Sequence, residues 1–93
     1  MFTEKELNSI DRKYFEIIVI SEYDVTVMSK NTKHVWYLHN ASGVAGETVQ
    51  IFHKHKANHP YHHHGRCGTL GKALRDIKSH DEFQLNGRKP VHT

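Results

Sequence analysis

Apolar residues near the start of the chain recur at every second position. Phe15, Ile17, Val19, Tyr23, Val25 and Val27 keep this period through YFEIIVISEYDVTVMSK, interrupted at Ser21. Period two among β-branched residues predicts strand, and the length of the run predicts a bend or turn around Ser21–Asp24. Lys30-Asn31-Thr32-Lys33 predicts a hairpin turn in which Asn31 takes φ > 0. His34–His39 then returns as a strand, Asn40–Gly46 is a loop, and Thr48–His53 is the next strand. The period changes in Thr69–Lys78, where Leu70, Ala73, Leu74 and Ile77 fall at i, i+3, i+4 and i+7 behind Thr69 as N-cap. A shorter helix is predicted over 4–12, because Thr3 and Glu6 fit a capping box and Leu7 and Ile10 share one face. Phe83 and Leu85 are expected to tuck under the sheet edge.

This order predicts one α+β domain over residues 1–85. It has a short N-terminal helix, a three- to four-stranded antiparallel sheet, and a C-terminal helix packed on one sheet face. Residues 86–93, NGRKPVHT, read as a polar tail with a turn at Asn86-Gly87. A 93-residue chain with 37% apolar residues has a thin core, so each apolar position counts. The longest apolar run, Ile17–Ile20, falls far short of the roughly 20 residues of a membrane span, and no membrane partner is expected. The N-terminus lacks the apolar region of a signal peptide, and one cysteine cannot close an internal disulfide. A cytoplasmic location follows as the expectation.

The net charge is only +3, but it is unevenly placed. From Thr48 to Arg75 there is no carboxylate, while Lys54, Lys56, Arg66, Lys72 and Arg75 all fall in that window. The same window contains HKHKANHPYHHHGRC, fifteen residues (53–67) that hold six of the chain's ten histidines. Cations interleaved with rings, followed by a helix N-terminus at Gly68-Thr69, suit a polyanion. The leading expectation is therefore nucleic-acid binding, RNA ahead of DNA, through Lys54, Lys56, His62, His64, Arg66, Lys72 and Arg75.

A metal reading competes for the same segment. His59, His62, His64 and Cys67 have two-residue gaps that a loop can fold around a tetrahedral zinc ion, and His53 and His55 would point the same way on a strand. The neighbouring lysines and arginine oppose a dication, so no cofactor is expected and zinc is the alternative. Outside the segment, His34 and His39 are candidates for general acid–base chemistry on RNA. A third reading is a small inhibitor or adaptor of a phage or mobile element, acting by protein–protein contact through Trp36, Tyr37 and Phe52.

Three motifs support a family likeness: Lys33-His34-Val35-Trp36-Tyr37-Leu38-His39, Val49-Gln50-Ile51-Phe52-His53, and Gly68-Thr69-Leu70 leading to Ala73-Leu74. Together the pattern resembles the HicA-type mRNA interferase toxins, small basic proteins with a double-stranded-RNA-binding-like fold. The resemblance implies that His34 is the catalytic histidine of a ribonuclease and that the sheet face meets RNA. The chain departs from the family in carrying Thr32-Lys33 where Gly-Ser normally precedes that histidine.

Overall fold

A computed structural model describes residues 1–41 and 48–86. The element order is α1 (Glu4–Asn8), β1 (Phe15–Ile20), β2 (Asp24–Ser29), β3 (Val35–Asn40), β4 (Val49–Lys54), β5 (His62–Cys67) and α2 (Leu70–Leu85). The α+β architecture agrees with the sequence expectation, with five strands in place of three or four. All pairings are antiparallel and the strands lie in sequence order β1-β2-β3-β4-β5, so β1 and β5 are the two edges.

Local chemistry sets the ends of the elements. Thr3 and Glu6 form the predicted capping box, but α1 stops at Asn8 rather than continuing to residue 12. The Ser21–Asp24 turn is present, and the Ser21 hydroxyl and backbone N–H both bond the Asp24 carbonyl. In the β2–β3 turn the positive φ falls on Lys33, at 65°, and not on Asn31. The Lys33 N–H bonds the Ser29 carbonyl at 2.8 Å, so closing the turn fixes the backbone there.

Alternation then sorts side chains between two faces. Val25 and Val27 on β2, Trp36 and Leu38 on β3, Val49 and Ile51 on β4 and Cys67 on β5 share the inner face. α2 covers this face with Leu70, Ala73, Leu74 and Ile77, and Phe2, Ile10 and Phe15 complete the core. Two bulges break the alternation. Ile18 has no partner between Ile17 and Val19, which moves Val19 off the core face and leaves it 47% exposed. His64 likewise has no partner between the Gly65–Ile51 and His63–Phe52 pairs.

Further sequence expectations need correction. The histidine-rich segment is not one loop to Gly68: its second half, HHHGRC, is the edge strand β5. α2 runs on to Leu85, so Phe83 and Leu85 sit on the helix and are exposed, at 39% and 59%. They lie off the Leu70–Ile77 stripe, whose next position is taken by the fully buried Asp81. Trp36 is also fully buried. Trp36 and Tyr37 are consecutive in a strand and cannot share one interface. Most of the Asn40–Gly46 loop and the tail beyond Asn86 lie outside the described residues.

Candidate functional site

The outer face of the sheet collects aromatic rings. Tyr37 on β3 pairs across with Phe52 on β4, and Phe52 with His63 on β5. Ring centroids run along β3 from His39 to Tyr37 (6.2 Å) and then across the strands to Phe52 (5.6 Å) and His63 (5.4 Å), and Tyr61 lies 5.9 Å from Tyr37. Lys54 leaves β4 on this face, with its ammonium 4.3 Å from the Tyr61 ring centre and bonded to the Ala57 carbonyl. Arg66 pairs with Gln50 on the same face and is exposed.

A carboxylate sits beside these rings. Asp24 accepts the Tyr37 hydroxyl and lies 2.9 Å from Nδ1 of His39. Those hydrogen bonds, Tyr37 first and His39 second, hold its carboxyl below the usual range. Burial and the Asp24 contact push the Tyr37 hydroxyl up to about 12. An imidazole oriented through Nδ1 by a carboxylate can exchange a proton at Nε2.

The inner face carries a second concentration of rings where the core ends. His53 pairs across from Trp36 and is 1% exposed; the indole stacks on its ring at 3.9 Å and 13°. His53 Nε2 lies 3.0 Å from His34 Nδ1, and ligand atoms of His34, His53 and His80 all lie within 4.8 Å of one another. His55 stacks on His34 at 4.5 Å, while His62 and His64 approach His53 at 5.2 and 5.8 Å. The β5 bulge explains His64: an unpaired residue re-aims its side chain, placing its ring 5.0 Å from His80 on the helix side. Burial, reinforced by His34 and His80, drives the His53 pKa down to about 3, so this ring is neutral near pH 7. Burial and His80 lower His64 as well.

Asp81 underlies the cluster. Its carboxyl oxygens accept the Tyr14 hydroxyl at 2.7 Å and the Thr32 hydroxyl at 3.0 Å. The Thr32 oxygen in turn accepts the N–H of His34 at 3.2 Å. One buried side chain therefore ties the turn before His34 to the helix that carries His80.

The predicted site residues separate into distinct places. Lys54 and Arg66 reach the ring-bearing face, and Lys56 is exposed in the turn that follows β4. His62 and His64 fall on the helix side of the edge strand, and Lys72 and Arg75 are exposed on α2. The proposed phosphate site at the α2 N-terminus is already filled. Glu6 Oε2 accepts the Leu70 N–H at 3.1 Å and Thr69 accepts the Lys72 N–H. Predicted catalytic His34 lies inside the inner cluster, away from the outer face. The predicted zinc set does not converge: His59 is exposed, and Cys67 is a core residue whose thiol donates to the Thr69 carbonyl. Burial raises the Cys67 pKa and disfavours the thiolate a metal would need.

His80 escaped the sequence reading. It stands three residues after Ile77 and beside Asp81 on the buried flank of α2, and extending the helical period past Lys78 would have found it. No family model, curated protein or solved structure matches the chain.

Proposed function

We propose that the chain binds single-stranded nucleic acid, RNA in the first instance, on the outer face of the sheet. The observation that carries this reading is the row of rings Tyr37, Phe52 and His63, joined by Tyr61 and bordered by Lys54 and Arg66. Unstacked bases lie on exposed aromatic rings of an antiparallel sheet, each worth about 1–3 kcal/mol, while cations at the border hold phosphates. The spacing of the rings suits two or three successive bases. A duplex offers no such bases, so single strands are the better ligand. Lys56, one turn beyond Lys54, extends the phosphate contact.

The test is a binding titration with a short unstructured RNA at several salt concentrations. Affinity falls as salt rises, with a log–log slope of about −0.7 per phosphate neutralised. Replacing Lys54 and Arg66 by Ala makes the slope shallower by about 1.4, and Phe52→Ala weakens binding with little change of slope. Undetectable binding at low salt would reject the reading.

A second reading, cleavage of the bound RNA, rests on the Asp24–His39 contact at 2.9 Å, which sits beside the same rings. In that case expression arrests growth and His39→Ala relieves the arrest. The interferase resemblance would instead assign relief to His34→Ala.

A further inference from the structure

We propose that His34, His53 and His80 form a site for a late divalent transition-metal ion, with zinc as its first occupant. The cluster is independent of the nucleic-acid face, which lies on the other side of the sheet. Three elements contribute: the entry to β3, the end of β4 and the middle of α2. The nearest pair of nitrogens, His53 Nε2 and His34 Nδ1, is 3.0 Å apart. Two imidazole nitrogens bound to one tetrahedral zinc ion at about 2.0–2.1 Å stand about 3.3 Å apart. All three ligand atoms already lie within 4.8 Å of one another, and His34 and His80 are only half-buried, so small ring rotations close the set.

Two further features mark a built site rather than an accidental grouping. His53 is almost wholly buried, and the nitrogen that faces His34 is its Nε2. Its ring plane is held by the stacked Trp36, and the backbone of His34 is held through Thr32 to Asp81. Such supporting contacts orient ligands at metal sites. The cations that argued against a dication are turned away, since alternation sends Lys54, and the bulge at His64 sends Arg66, to the outer face. The exposed rings of His62 and His64 stand on the solvent side, where a fourth ligand or a water would complete the coordination.

The site takes a borderline ion through neutral imidazoles, the chemistry of zinc, copper and nickel, and not a hard oxygen-seeking ion such as magnesium or calcium. The test uses the full chain made without a polyhistidine tag and stripped with a chelator. Zinc binds with one equivalent per chain and raises the melting temperature. Nickel or copper, added to one equivalent, quenches the emission of Trp36, the chain's single tryptophan. His80→Gln and His34→Gln each weaken binding at least about 10-fold and remove the quenching, with the fold verified by circular dichroism. His59→Gln, on the exposed turn, changes neither. The proposal is overturned by binding that survives both cluster substitutions, by loss on His59→Gln, or by the absence of a stoichiometric complex. Magnesium binding equal to zinc would overturn it too.

Discussion

Replacing Asp81 by Ala tests how the inner end of the molecule is held together. Asp81 is fully buried and accepts two hydroxyls, from Tyr14 ahead of β1 and from Thr32 in the β2–β3 turn. Removing the carboxyl strands both donors, each at about 1–2 kcal/mol because Tyr14 and Thr32 are only half-buried and part of each can reach water. The expected loss is therefore about 2–4 kcal/mol, against a total near 5–14 kcal/mol for a domain of this size. At about 4–8 °C per kcal/mol, the melting temperature falls by roughly 8–32 °C. Thermal unfolding followed by circular dichroism reads this directly. Tyr14→Phe and Thr32→Val each cost about 1 kcal/mol, and in a double-mutant cycle their effects largely vanish once Asp81 is Ala. A loss below about 0.5 kcal/mol for Asp81→Ala, or strict additivity in the cycle, would refute the linkage.

Other expectations follow from the same geometry. Burial raises the Glu6 carboxyl, but the Thr3 and Leu70 N–H groups and the Thr3 hydroxyl outweigh it and leave the folded pKa below 4.5. Glu6 therefore contributes stability that is present above 4.5 and lost as pH falls through the lowered value, so Glu6→Gln flattens the acid limb of a stability–pH profile. An unchanged acid limb would show that Glu6 does not bridge α1 and α2. Lys33→Gly relieves a left-handed backbone of about 1 kcal/mol and raises the melting temperature by about 4–8 °C; a fall would contradict the strained turn. Tyr37 ionises near pH 12, and Asp24→Asn lowers that value; phenolate absorbance during alkaline titration checks it.

Much of the scaffold was legible because burial repeats along the chain. Val25 and Val27, then Leu70 to Ile77, announced β2 and α2, and Thr3 with Glu6 announced the cap. What escaped was structure made by pairing rather than by pattern. HHHGRC has no apolar alternation; it becomes a strand because Cys67 docks opposite Val49 and the rest follows the register of β4. The bulge at His64 has no local signature, yet it decides which face that ring joins. α2 looked shorter than it is because its stripe continues with Asp81, a polar residue satisfied by hydroxyls far away in sequence. The site was misjudged for a related reason. Composition placed lysine, arginine and histidine in one group, whereas alternation together with the His64 bulge separates Lys54 and Arg66 on one face from His53, His62 and His64 on the other.

RNA binding on the outer face is tested by irradiating the protein bound to a short single-stranded RNA and locating the crosslinked peptides by mass spectrometry. Crosslinks are expected at Tyr37, Phe52, Tyr61 or His63, competed by excess single-stranded RNA and suppressed when Lys54 and Arg66 are Ala. Crosslinks confined to α2 around Lys72 and Arg75, or none under conditions of measured binding, would contradict it.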